Sequence, residues 1–145
     1  MKNRIIKEIG VFPLLNKSYR QDFPVGKIVL KYGEHRKANR GFGVVHILEE
    51  HKEDLTRHGL PHNEEGVILY IEMILQGGAR IFSEFSAVKG AHRPMIIYSR
   101  VGTVILERTQ ILDEIVYSVV TAFGGVTPRG TQIGTIPKTT KAPNQ

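Results

Sequence analysis

Apolar residues in the first half of the chain recur with the period of a helix, and those in the second half with the period of a strand. Val44, Ile47, Leu48, His51 and Leu55 follow the i, i+3, i+4, i+7 spacing of a core-facing stripe. The glycine-bracketed stretch Gly41–His51 therefore predicts the start of an amphipathic helix. His46 falls off that stripe, beside Glu49, Glu50 and Glu53, whereas His51 falls on it. A polar hinge from Thr56 to Asn63 follows. Glu64-Glu65 then opens a second helix of about fifteen residues, its acidic groups suited to a first turn. Its buried stripe is Val67, Tyr70, Ile71, Ile74 and Leu75, and Gly77-Gly78 ends it.

From residue 80 the period becomes two. Arg80–Ala87 and Pro94–Arg100 read as strands, a turn at Val101-Gly102 leads to Thr103–Thr109, and Ile111–Phe123 reads as the last and strongest strand. Strict alternation puts Ile115, Tyr117, Val119, Thr121 and Phe123 on one face of it, and Val116, Ser118, Val120 and Ala122 on the other. Residues 1–40 read as a loosely structured extension, with Lys27–Tyr32 a short strand or single turn. Within it the basic run Lys31–Arg40 is either a solvated loop or a phosphate-facing lip. The chain after Gly124-Gly125 is poor in apolar residues and predicts an extended or disordered tail. The expected architecture is α+β: N-terminal helices packed on a C-terminal antiparallel meander, with a core at residues 41–125 between a 1–40 extension and a 126–145 basic tail.

Composition adjusts this picture in three places. A length of 145 residues suits one domain. Twenty Lys and Arg against fourteen Asp and Glu leave a net charge of +6, which favours a polyanionic partner, nucleic acid first. Cysteine is absent, which excludes disulfides, thiolate metal sites and cysteine nucleophiles. There is no 18-residue apolar run for a membrane span, and the basic N-terminus lacks the apolar core of a signal peptide.

Among chemistry-bearing residues, His46 and His51 stand out because both titrate near neutral pH and lie five positions apart. The plainer reading makes them a surface and a core-edge histidine. His58 and His62 have a zinc-like spacing, but Gly59 and Pro61 break any helix between them, and no third ligand is apparent. His35 and His92 fall in basic loops and read as solvated. Neither glycine pair precedes the Gly-Lys-Ser/Thr of a phosphate loop, and no Ser-His-Asp pattern occurs.

Gly43-Val-Val-His-Ile-Leu-Glu-Glu-His51, then a second helix, a strand meander and Val119-Val-Thr-Ala-Phe123, resembles the barnase–EndoU–colicin–RelE-like nucleases. Within that group the likeness is to C-terminal toxin domains of contact-dependent inhibition and related polymorphic or phage toxins. It covers about residues 41–124 and rests on a helix signature of the form G-x-x-H-I-x-x-x-H and a strand signature of the form V-V-T-x-Y. The resemblance implies His46 as the catalytic histidine, His51 as structural or auxiliary, and Thr121 as the hydroxyl at the scissile phosphate. Phe123 departs from the tyrosine of some relatives, which removes a hydroxyl but leaves a face for base stacking. The remaining cationic residue would be Arg100 or Arg108, with Lys89 behind them, and Tyr117 could stack, donate or belong to the core.

The activity so implied is metal-independent RNA cleavage, tRNA foremost, by attack of a ribose 2′-OH to leave a 2′,3′-cyclic phosphate; it needs no cofactor and spares DNA. The implied setting is a delivered toxin acting in a target cell's cytoplasm and neutralised by an acidic immunity protein, with no membrane anchor. The rivals are a non-catalytic basic module, either nucleic-acid-binding or phage-structural, and an enzyme of this architecture whose activity has decayed.

Overall fold

In the computed structural model, residues 1–84 and 95–138 are described. The elements run β1 (Ile5–Phe12), α1 (Lys17–Arg20), β2 (Gly26–Lys31), β3 (Glu34–Lys37), β4 (Arg40–Phe42), α2 (Gly43–Glu50), α3 (Lys52–Arg57), α4 (Glu64–Ile74), β5 (Arg80–Ser83), β6 (Met95–Tyr98), β7 (Thr103–Ile111), β8 (Glu114–Phe123) and β9 (Thr131–Thr135). Seven strands form one sheet in the order β1-β2-β8-β7-β6-β5-β9, and β3 pairs with β4 separately. The protein is α+β, and β5 to β8 are the expected antiparallel meander.

The sheet is larger than the meander. β2 pairs in parallel with β8, through Lys27↔Val116 to Val29↔Ser118, and β1 pairs antiparallel with β2. The N-terminal segment expected to be loose thus supplies two strands, and Ile28, Val29 and Leu30 are all buried. A short apolar piece between prolines gains its order from strands distant in sequence, which local periodicity does not register. The basic run Lys31–Arg40 is likewise no open loop: it folds into the β3–β4 hairpin, turning at Asn39 with φ 61°. Beyond Gly125, β9 pairs with β5, so part of the expected tail closes the far sheet edge. Ala87 and Pro94, expected in strands, and residues 139–145 lie outside the described residues.

α4 follows the sequence closely. The Asn63 side chain accepts a hydrogen bond from the Gly66 N–H at 3.0 Å and caps it, a contact that contributes about 1 kcal/mol. The helix is eleven residues long because Leu75 already leaves helical geometry and serves as C-cap. Val67, Tyr70, Ile71 and Ile74 are fully buried against the inner sheet face, where Ile81, Ile97, Val104, Leu106, Tyr117, Val119 and Ala122 meet them. Each such aliphatic burial is worth roughly 1.5–3 kcal/mol.

Two irregularities set up the site. First, the helix expected to run through His51 breaks there. His51 (φ −129°, ψ 32°) is the C-cap of α2, its N–H bonded to the Ile47 carbonyl at 2.8 Å, and also the N-cap of α3. It therefore leaves the core stripe that Val44, Ile47 and Leu55 keep. Second, β8 carries a bulge. Ile105 pairs with Thr121 but Leu106 pairs with Val119, so Val120 has no counterpart. One extra residue reverses the alternation. Val119 and Ala122 face the core, while Thr121 and Phe123 move to the outer face, away from Tyr117. The single face predicted for Tyr117, Thr121 and Phe123 is thereby corrected.

Candidate functional site

The β3–β4 hairpin lies across the outer side of α2 and covers the face that His46 presents. His46 is accordingly buried, 4% exposed, rather than the surface residue its off-stripe position suggested. Gly41 permits this approach. Its φ of +147° suits glycine, and a β-carbon there would stand 2.9 Å from His46 Nδ1. The hairpin brings His35 Nδ1 to 3.2 Å from His46 Nδ1, with the two rings 5.4 Å apart and nearly stacked. On its other side, His35 Nε2 lies 3.9 Å from Glu50 Oε2, and the Asn39 N–H points at Glu50 Oε1 from 3.4 Å.

These contacts favour one pair of tautomers. A carboxylate beside His35 Nε2 favours the proton on that nitrogen, which leaves His35 Nδ1 an acceptor. His46 then donates Nδ1–H to it, and its Nε2 keeps a free lone pair. Glu50, His35 and His46 form an orienting chain that ends in a base.

His51 stands on the other side of His46, ring centroids 6.2 Å apart, and packs against Phe123 at 5.5 Å. Its Nδ1 is 3.7 Å from Asp54 Oδ2. Asp54 Oδ1 accepts from the Gly124 N–H at 3.1 Å and from Arg57 Nη1 at 2.6 Å, tying α3 to the end of β8. Thr121 Oγ1 is buried and makes no hydrogen bond to any described residue. Together Asn39, Gly41, His46, His51, Val120, Thr121 and Phe123 line a cleft of about 310 Å³.

Burial pushes the pKa of His46 below its ordinary value; nearby Glu50 opposes this, while the neighbouring rings of His35 and His51 add to it. Burial also lowers His51, against the opposing pull of Asp54 and then Glu50. Both imidazoles are therefore biased toward the neutral form, and His51 is the one with two carboxylates favouring its cation.

The site residues expected from sequence divide clearly. His46, His51, Thr121 and Phe123 converge on the cleft. Tyr117 does not: it is fully buried on the opposite sheet face, stacked on Phe12 at 4.1 Å, its hydroxyl donating to the Pro24 carbonyl at 2.6 Å. Arg108 pairs with Tyr117 in register on that same face and donates to the Asp22 carbonyl at 2.6 Å. Arg100 sits in the β6–β7 turn and lines a separate cleft of about 370 Å³ with Arg80 and Tyr98, a site without a histidine. Lys89 and His92 lie outside the described residues. The cations beside the histidine cleft are instead Arg57, 61% exposed and next to Gly124, and Arg40, exposed between the lining residues Asn39 and Gly41.

Sequence reasoning missed His35, Glu50, Asp54 and Arg57. The one available signal was spacing: Glu50 follows His46 by one helical turn. Nothing local marked His35, whose role depends on the hairpin. No helix among the described residues is long and apolar enough to cross a membrane. No protein-family profile, curated protein or solved structure matches the chain.

Proposed function

We propose that this protein is a metal-independent endoribonuclease of the barnase–EndoU–colicin–RelE-like kind. The observation that carries the reading is the convergence on one cleft of two imidazoles biased toward neutrality, His46 and His51, with Thr121 in the cleft wall, its buried hydroxyl without a partner among the described residues. Transesterification of RNA needs a base, an acid and donors to the phosphate, and this cleft offers candidates for each.

In the reaction, His46 Nε2 takes the proton of a ribose 2′-OH. The 2′ oxygen attacks phosphorus, the bond from phosphorus to the 5′ oxygen breaks, and a 2′,3′-cyclic phosphate is left. His51, the imidazole with Asp54 and Glu50 to stabilise its cation, gives the departing 5′ oxygen its proton. His35 and Glu50 are positioning residues, because they hold the His46 tautomer without touching substrate. Thr121 Oγ1, once its side chain rotates to uncover it, donates to a phosphate oxygen, Arg57 or Arg40 offsets its charge, and Phe123 stacks on a flanking base. DNA lacks the attacking hydroxyl and is spared.

A net charge of +6 supports a polyanionic substrate, tRNA first, and an acidic protein that neutralises the enzyme by covering its cleft. That partner belongs to the reading of the chain as a delivered toxin domain acting in the cytoplasm of a target bacterium.

The test is incubation of the purified chain with total bacterial RNA in excess chelator, followed by analysis of fragment ends. Discrete fragments ending in 2′,3′-cyclic phosphate, abolished by His46→Ala, are expected. RNA left intact by the wild-type chain even after cell extract is added overturns the reading and favours a basic module that binds without cutting.

A further inference from the structure

We infer that the cleft also binds a divalent transition-metal ion of the zinc type on His46, Glu50 and His51, and that the bound ion switches off the base. Each of the three residues places a ligating atom within 4.8 Å of the others. Two imidazoles and a carboxylate form a donor set suited to zinc, with a fourth position left open to water or a phosphate oxygen.

The distances fall within reach of that geometry. A tetrahedral ion with bonds of about 2.0–2.1 Å needs donors roughly 3.3–3.5 Å apart. The group must therefore close inward, and its members differ in freedom to do so. His46 is fixed by burial and by His35, whereas the side chains of Glu50 and His51 are 20% and 23% exposed at the cleft wall. The closure therefore falls to rotations of those two side chains.

The surroundings are those of a supported site. Metal-bound imidazoles commonly have their second nitrogen held by a carboxylate or another acceptor, which aims the ligating nitrogen. His51 Nδ1 faces Asp54 Oδ2 at 3.7 Å, and His46 Nδ1 faces His35 Nδ1 at 3.2 Å. Each leaves Nε2 for the ion. Glu50 turns Oε2 toward His35, and its Oε1, which accepts a long 3.4 Å bond from the Asn39 N–H, keeps a lone pair for the ion, while Asp54 adds negative charge behind the cation.

The consequence follows from lone pairs. His46 Nε2 cannot hold an ion and accept the 2′-OH proton together, so metal and catalysis compete for one nitrogen. The inhibitory half of the inference rests on the ribonuclease reading; the binding half does not.

Titration of the chelator-stripped full chain with Co²⁺, followed by visible absorption, tests binding directly. One equivalent should produce the intense bands of a four-coordinate ion, and added Zn²⁺ should erase them. Glu50→Gln and His51→Ala should each weaken binding by at least about tenfold, and His62→Ala should leave it unchanged. Absence of the bands, or bands indifferent to Glu50→Gln and His51→Ala in variants whose circular dichroism is native, overturns the site. In the RNA assay, one equivalent of Zn²⁺ should suppress cleavage and chelator should restore it. Cleavage unaffected by bound Zn²⁺, or dependent on it, overturns the inhibitory role. Cobalt binding by a chain that never cleaves RNA removes the ribonuclease reading and leaves the metal site standing.

Discussion

His35 and His46 meet Nδ1 to Nδ1 at 3.2 Å, although one belongs to a strand of a small hairpin and the other to the helix beneath it. Two imidazole nitrogens at that distance are within hydrogen-bond reach, one ring donating Nδ1–H and the other accepting. Glu50, 3.9 Å from the far nitrogen of His35, favours the direction in which His46 donates.

Replacing His35 tests that direction. His35→Ala removes the acceptor for His46 Nδ1–H and should lower kcat by about 10–100-fold, the usual size of a lost orienting contact, with KM nearly unchanged. His35→Gln, whose side-chain carbonyl accepts the same proton, should recover part of the loss. Equal defects in both variants, or a defect in KM alone, would count against an orienting role.

The histidine pKa shifts predict pH behaviour. Both His46 and His51 lie below the ordinary value of 6.5. A base and an acid that both titrate low give a bell-shaped kcat/KM profile with its maximum on the acidic side of that value. For stability the sign is as follows: below 6.5 the unfolded chain binds these protons more readily than the folded one, so stability is full above 6.5 and falls as pH drops through the folded values. Melting temperatures compared at about pH 7.5 and about pH 5 should show the loss. The loss should be smaller in His46→Gln, which removes one of the two groups.

Gly41 tests the close approach of hairpin and helix. In Gly41→Ala the new β-carbon meets the Glu34 carbonyl oxygen of the paired strand first and then lies 2.9 Å from His46 Nδ1, at a φ of +147° that alanine rarely adopts. A stability loss of about 1–3 kcal/mol is expected in denaturant titration. Because the hairpin must also shift away from His46, cleavage should fall even at temperatures where the variant is fully folded.

Two aromatic residues of β8 separate function from structure. Tyr117→Phe removes the bond to the Pro24 carbonyl, should cost about 1 kcal/mol of stability, and should leave cleavage intact. Phe123→Ala should do the reverse at the site: KM should rise by the equivalent of about 1–3 kcal/mol of lost base stacking. A drop in activity for Tyr117→Phe would return that residue to the site.

The sequence by itself determined that helical segments precede strand segments between residues 43 and 123, the buried face of α4, and the residue types able to do chemistry. Those properties are local: helical and strand periods and acidic residues in a first turn act over a few residues. His46 and His51 stood out as a pair of titratable groups in such a segment, whereas Thr121 and Phe123 entered through the resemblance alone; all four line one cleft. Only the tertiary structure decided which neighbours they have. The bulge at Val120 turned Thr121 and Phe123 to the face opposite Tyr117 and Arg108, and a one-residue offset in pairing leaves no mark on the composition of β8. The break at His51 moved that ring from the core stripe into the cleft. The hairpin that buries His46 and supplies His35 comes from a basic stretch whose order depends on contacts with α2, and the parallel seam of β2 with β8 joins strands some ninety residues apart. Pairings of that kind depend on the whole chain having collapsed, so no local window of sequence contains them.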